Sequence, residues 1–306
     1  MLNFSTKKSK LKIIPLGGVE EVGKNCMVLE FGSDIIVIDL GLDFPGPDFP
    51  GIRYILPDIS YLEKNKKRIK GILITHGHLD HIGALSFVMD KIGNPPIFAT
   101  KLTAELIKSR FAEIENKNKQ RIKVQIINPD KNQTVNLGNF KIDCFWVCHN
   151  IPDSVGFAVH TPLGTVIHTG DFKFDQHPIN QLTDTAKIKQ LCSTGALALI
   201  SDSTNAEEPG RVISESEVGR IIDQLFANTQ QRIIFTTFST LISRIQQVID
   251  IAQKYQRKIA VAGYSINQSI ILAQQIGYLN IPPNLLVDIA KIKQIPDQQL
   301  VILASG

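Results

Sequence analysis

Of the seven histidines in the chain, three fall within the run Thr75-His76-Gly77-His78-Leu79-Asp80-His81, together with an aspartate. Imidazole nitrogens and a carboxylate at this density suit zinc or a similar first-row ion. A single ion cannot use all four side chains and still keep an open position, whereas two ions about 3.5–4 Å apart can. His76 and His78 can face one ion while Asp80 and His81 reach the other, and the chemistry of such a centre is metal-assisted hydrolysis. Serine or cysteine nucleophile contexts are missing: there is no Gly-x-Ser-x-Gly and no P-loop, and the Gly17-Gly18 pair does not make a dinucleotide fingerprint.

Two ions need more ligands, and strand ends offer them. His149 closes an apolar run over 140–148, and Asp171 follows the turn His168-Thr169-Gly170. Asp39, at the end of an Ile- and Val-rich run, can accept the ring N–H of a ligand histidine from behind. His160, His168 and His177 are left outside the ligand set, His168 as a residue that could support the site.

Strand-like runs at 12–16, 25–31, 34–39 and 69–75 lead into the histidine loop, and helical spacing of Ile82, Leu85, Val88 and Met89 predicts a helix over 80–92. A strand at 97–99, a helix over 103–115 and strands at 124–127, 140–147, 155–160, 165–169 and 197–201 complete a pattern of two sheets covered outside by helices. Past the polar segment 203–210 the pattern changes to regular alternation. Ser214 and Glu217 form a capping box for a helix to about residue 227, and strands at 232–237, 258–262 and 300–304 alternate with helices, which predicts a parallel sheet. The fold class expected is α/β, with domains over 1–205 and 206–306.

At roughly 150 residues per domain, 306 residues also suggest two domains. With 43% hydrophobic and 20% charged residues, the chain is neither disordered nor fibrous. No apolar stretch is long enough to span a membrane and residues 1–12 lack the core of a signal peptide, so a cytoplasmic protein with no membrane partner is expected. Cys26, Cys144, Cys148 and Cys192 are too irregularly spaced for a disulfide framework and read as buried thiols. The net charge of +4 is concentrated in Lys7, Lys8, Lys10 and Lys12 and in Lys64, Lys66, Lys67, Arg68 and Lys70, clusters that suit phosphate contacts or a solvated surface.

The run His76-Gly77-His78-Leu79-Asp80-His81, with Asp39 before it and His149 and Asp171 after it, resembles the metallo-β-lactamase fold, an αββα sandwich. More narrowly the chain resembles the ribonuclease J family of the β-CASP branch. The segments carrying that likeness are Pro15-Leu16-Gly17-Gly18 with Gly23-Lys24-Asn25, Leu56-Pro57-Asp58, Ile151-Pro152-Asp153-Ser154 and Ser201-Asp202-Ser203-Thr204-Asn205. The resemblance implies a zinc-dependent ribonuclease, acting 5′ to 3′ as an exonuclease, internally as an endonuclease, or both. Two zinc ions hold a hydroxide that attacks a backbone phosphorus, and Asp80 helps orient it. His76, His78 and His149 hold one ion; Asp80, His81 and Asp171 hold the other, with Asp171 able to bridge. Asp202 matches an acidic position behind the ligands. Residues from about 206 resemble a partial β-CASP domain that closes over the site to form an RNA channel, in which Ser239 and Thr240 align with a 5′-phosphate pocket.

Two departures from the family pattern stand out. Ser239-Thr240-Leu241 precede Arg244-Ile245-Gln246-Gln247 where the family usually has a Ser-Asn pair, so Leu241 supplies no hydrogen-bond donor. The family's further histidines have no counterpart after His177, so the resemblance implies a chain truncated within the β-CASP domain and a second zinc site that is incomplete. Two other functions use the same residues: an impaired chain that binds RNA, a second copy or a full-length paralogue without cutting, and a small-molecule metallohydrolase.

Overall fold

β-Branched and apolar runs bounded by glycine turns form the strands of the first half of the chain. The computed structural model describes residues 10–113 and 122–305; Lys7 and Lys8 of the first basic cluster, and Ile114 and Glu115 of the helix expected to reach residue 115, lie outside them. The described residues divide into two units: 10–113, 122–145, 155–171 and 184–202 in the first, and 146–154, 172–183 and 203–305 in the second.

In the first unit, β1 (Leu11–Gly17), β2 (Cys26–Phe31), β3 (Asp34–Ile38), β4 (Ile69–Leu73), β5 (Ile97–Ala99) and β6 (Val124–Ile126) form one sheet in that order. Pairing is antiparallel from β1 to β3 and parallel from β3 to β6. The parallel half is covered by α1 (Ser60–Lys64), α2 (Leu79–Ile82), α3 (Leu85–Val88) and α4 (Lys101–Glu113). Leu62, Leu85, Val88, Ile107 and Phe111 from these helices share one buried cluster with Val28, Ile35, Val37, Ile72 and Ile97 of the strands. Every residue of β2 and β3 is buried, as in strands covered on both faces.

A second sheet runs in the order β11-β10-β9-β8-β7, from β7 (Val135–Leu137), β8 (Phe140–Trp146), β9 (Val155–Thr161), β10 (Gly164–His168) and β11 (Ala196–Ile200), with α5 (Thr185–Leu191) leading into β11. Hydrogen bonds tie the two sheets together. Asn139, in the β7–β8 turn, donates through N (2.9 Å) and Nδ2 (2.7 Å) to Asp34 Oδ2 at the start of β3. Val155 N, at the start of β9, donates to Thr75 O at 2.9 Å.

The helix expected over 80–92 is broken into α2 and α3, for a reason visible in the backbone. Carbonyls that would accept from within one continuous helix are taken by other segments: Asp80 O by Asn25 N (3.0 Å), His81 O by Leu40 N (2.8 Å) and Leu79 O in part by Leu42 N (3.1 Å). Ala84 N turns to Leu40 O at 3.0 Å instead. The metal-type motif is thereby stitched to the β1–β2 loop and to the end of β3.

The second unit holds a parallel sheet in the order β12-β15-β13-β14, from β12 (Ile233–Thr236), β13 (Lys258–Ala262), β14 (Leu286–Val287) and β15 (Leu300–Ala304), with α6 (Glu215–Asn228), α7 (Ile242–Lys254) and α8 (Tyr264–Gln275) between them. The expected capping box is replaced by another arrangement. Ser214 Oγ donates to His177 O at 2.8 Å, and the carboxylate of Asp175 accepts from Glu215 N at 2.9 Å, an acid at the positive end of a helix. Glu215 in turn holds Lys173 at 2.8 Å and Arg244 at 2.6 Å, fastening the 172–183 segment and α7 to the start of α6.

Candidate metal centre

β3 and β4 are parallel neighbours, so the residues just past their carboxyl ends, Asp39 and Thr75, emerge side by side. Asp39 adopts φ of 61°, in the left-handed region that Asp tolerates better than most residues. Its Oδ1 accepts from Thr75 N and its Oδ2 from Thr75 Oγ1, each at 2.8 Å, and Oδ2 also lies 2.8 Å from His81 Nδ1. Thr75 Oγ1 stands 3.0 Å from His76 Nδ1. One buried carboxylate therefore engages Nδ1 of His81 directly and Nδ1 of His76 through a hydroxyl, and each ring presents Nε2 to the site.

The donor atoms have the spacing of ligands. His76 Nε2 is 3.0 Å from His78 Nδ1 and 3.9 Å from Asp171 Oδ2; His81 Nε2 is 3.4 Å from both Asp80 Oδ2 and Asp171 Oδ1. Ligand atoms bound tetrahedrally at about 2.0–2.2 Å from one ion are about 3.3–3.6 Å apart. His76, His81 and Asp171 form one group whose donor atoms all lie within 4.8 Å of one another. His149 follows β8 after Val147 and Cys148.

Electrostatics agree with a cation at this place. Burial disfavours a charged His81, but the carboxylates of Asp39 and Asp171 outweigh it and hold the imidazole well above its ordinary value. Burial pushes the Asp80 carboxyl up, yet the hydrogen bond and charge of His81, then the charge of His78, bring it below its ordinary value. Three carboxylates around one buried imidazole hold a proton that a divalent ion can displace.

Sequence reasoning did not assign roles to Thr75 or Asn25 in this arrangement, and it named His168 only as a residue that could support the site. Asn25 reaches the site from the β1–β2 loop, with Nδ2 3.3 Å from Asp80 Oδ2. His168 accepts from Gly170 N at Nδ1 (3.1 Å), next to Asp171, and burial lowers its pKa, which keeps it neutral. The run Thr75 to His81 carried a usable signal for Thr75, since a hydroxyl beside a ligand histidine is a ready ring-N–H partner. Asp202 N donates to Thr169 Oγ1 at 3.1 Å.

Other features are structural. His160 bridges Asp143 Oδ2 and Thr165 Oγ1, each at 2.9 Å, across the second sheet. All four cysteines are free, three of them buried, and burial pushes the Cys144 thiol up to about 11. In the second basic cluster, Arg68 bonds the carbonyls of Gly32 and Ser33 and Lys70 pairs with Asp34, so these cations serve the fold. In the second unit, Ser239 and Thr240 lie half-buried in the turn between β12 and α7. No helix among the described residues is long and apolar enough to cross a membrane.

Comparison with known proteins agrees with this geometry. Residues 36–190 match the model of the beta-lactamase superfamily domain, and residues 230–306 match that of the ribonuclease J beta-CASP domain. The chain is 39% identical over 304 residues to a protein named Ribonuclease J from Synechocystis sp., covering 99% of this chain and 47% of the relative. It is 40% identical over 298 residues to Ribonuclease J2 of Bacillus subtilis, covering 97% and 53%. Against Ribonuclease J of Thermus thermophilus the figures are 39% over 302 residues, covering 97% and 52%. The chain thus spans about half the length of the curated relatives it matches. A crystal structure of a protein of unknown function from Enterococcus faecalis shares the fold, with a TM-score of 0.64 at 15% identity over 97% of this chain and 77% of that one.

Proposed function

Because this chain belongs to the beta-lactamase superfamily and, within it, to the ribonuclease J family, we propose that it is a zinc-dependent ribonuclease hydrolysing RNA phosphodiester bonds in RNA processing and decay. It acts as a 5′-to-3′ exonuclease, an endonuclease, or both. The observation that carries this reading is the Asp39-backed convergence of His81 Nε2 with Asp80 and Asp171, at 3.4 Å each.

His76, His78 and His149 would hold one zinc ion and Asp80, His81 and Asp171 the other, with the two oxygens of Asp171 directed to the two groups. Two ions so held would supply Lewis-acid charge for phosphate oxygens and would acidify a water molecule. The chain's own residues do the positioning. Asp39 fixes the ring of His81, Thr75 fixes the ring of His76, and the ionised Asp80 orients the attacking water and can take its proton. Asp202 acts behind the ligands.

Ser239 and Thr240 are the proposed contacts for a 5′-phosphate. They stand at the carboxyl end of a parallel strand and immediately before the 13-residue helix α7, where hydroxyls and main-chain N–H groups favour an anion. Leu241 at the N-cap position adds no side-chain donor. RNA as substrate agrees with a cytoplasmic place of action, and a second copy or a longer paralogue is the proposed protein partner.

The test is a substrate panel after zinc loading: 5′-monophosphorylated and 5′-hydroxyl single-stranded RNA against lactones and thioesters. RNA cleavage that Asp80→Ala abolishes is expected. Preference for the esters would replace this reading with a small-molecule hydrolase, and binding of RNA without turnover would replace it with a non-cutting chain.

A further inference from the structure

The Gly17-Gly18 pair and the run Gly23-Lys24-Asn25 supply no ligand, yet the loop they form between β1 and β2 is fastened to the centre. Asn25 N donates to Asp80 O at 3.0 Å, and Asn25 O accepts from Gly41 N at 2.9 Å. Its side-chain amide lies 3.3 Å from Asp80 Oδ2 and 3.1 Å from His81 Nε2. Space for that amide exists because residue 18 has no side chain: a Cβ there would stand 2.4 Å from Asn25 Oδ1. Gly18 also takes φ of +81°, which L side chains rarely adopt.

The two side-chain contacts of the amide are not equivalent. The contact with His81 depends on the protonation of that ring, and it is lost once Nε2 gives its lone pair to a metal. The carboxylate of Asp80 can accept from the Asn25 N–H in either state. Main chain and side chain of Asn25 thus grip both ends of residue 80, and they divert the Asp80 carbonyl that would otherwise continue the helix.

We propose that Asn25 is a positioning residue that orients the Asp80 carboxylate in the metal-loaded protein, and that Gly18 is small in order to admit it. This inference rests on the metal centre proposed above and adds to it a residue of the β1–β2 loop.

Zinc affinity of the whole chain, measured by chelator competition, tests it in the wild type, Asn25→Ala, Asp80→Ala and the double variant. The thermal midpoint of each metal-free protein is recorded alongside. Asn25→Ala is expected to weaken zinc about 10–100-fold, as loss of a partner behind a ligand does. On the Asp80→Ala background it is expected to add less than about threefold, because the two residues act as one unit. Gly18→Ala is expected to reproduce the loss, and Asn25→Ser, too short to reach Asp80, serves if Asn25→Ala does not fold. Equal losses on both backgrounds, or none on the wild-type background, would overturn the positioning role and leave the metal centre standing. A wild-type chain that binds no zinc would overturn the centre and this role with it.

Discussion

Asp39 and His81 are joined by a 2.8 Å contact between Oδ2 and Nδ1 across 42 residues of sequence, with 1% and 2% of their surfaces exposed. A carboxylate only accepts, so this contact sets Nδ1 as the protonated nitrogen and aims Nε2 at Asp80 and Asp171. Asp39→Asn replaces one acceptor oxygen by a donor and loses the preference for that tautomer. Zinc affinity is expected to fall about 10–100-fold. Chelator competition measures it, and an unchanged affinity would show that the pair is only structural.

Thr75 separates two effects that a single deletion would confuse. Thr75→Val keeps the shape but leaves Asp39 Oδ2 and His76 Nδ1 without the hydroxyl they share, a buried loss of about 1–3 kcal/mol. Thr75→Ser keeps the hydroxyl and gives up one methyl, for about 1 kcal/mol. Urea unfolding of the metal-free protein should rank Ser well above Val in stability; the reverse order would remove Thr75 from the network.

How legible the site was depended on distance along the chain. His76, His78, Asp80 and His81 could be read because one loop carries them all, and Asp39 because it ends an apolar strand, where a parallel neighbour brings it to the same edge. Asn25 could not be read, because its contact with Asp80 spans 55 residues and depends on which loop lies across α2. The same crossing explains the broken helix: apolar spacing favoured one helix over 80–92, but tertiary hydrogen bonds took its carbonyls. Ser214 and Glu217 had the spacing of a capping box, and Asp175, 40 residues before Glu215, took the place instead.

Gly41 marks where the backbone of the motif passes closest to the end of β3. A Cβ at this residue would stand 1.5 Å from Asp80 O, a clash only main-chain movement can relieve. Gly41→Ala is expected to cost about 3 kcal/mol or more, the upper end of overpacking effects. Gly46→Ala, whose Cβ would have no atom within 4 Å, should stay within about 0.5 kcal/mol. Comparable midpoints for the two variants in thermal unfolding would contradict the packing at Gly41.

Glu30 gives a pH dependence remote from the metal group. Its burial raises the carboxyl, but Lys12 at 2.7 Å, the Tyr61 hydroxyl and Arg68 at 3.2 Å outweigh that and bring it down to about 2. The folded value lies below the unfolded one, so the stabilisation is complete above the unfolded value of about 4.5 and is lost as pH falls through about 2. A shift of this size corresponds to about 3 kcal/mol. Glu30→Gln should therefore be less stable than wild type by that order at neutral pH, with the gap closing between about pH 4.5 and 2. A gap independent of pH would assign the loss to packing.

The most direct measurement for the metal centre is zinc bound per chain, determined by elemental analysis and chelator competition on the wild type, His81→Ala and Asp171→Ala. At least one equivalent is expected in the wild type, lost or weakened about 100-fold in each variant, since each removes a ligand of the His76, His81 and Asp171 group. A wild-type chain without bound zinc, or zinc that survives both substitutions unchanged, would contradict a metal centre built on these side chains.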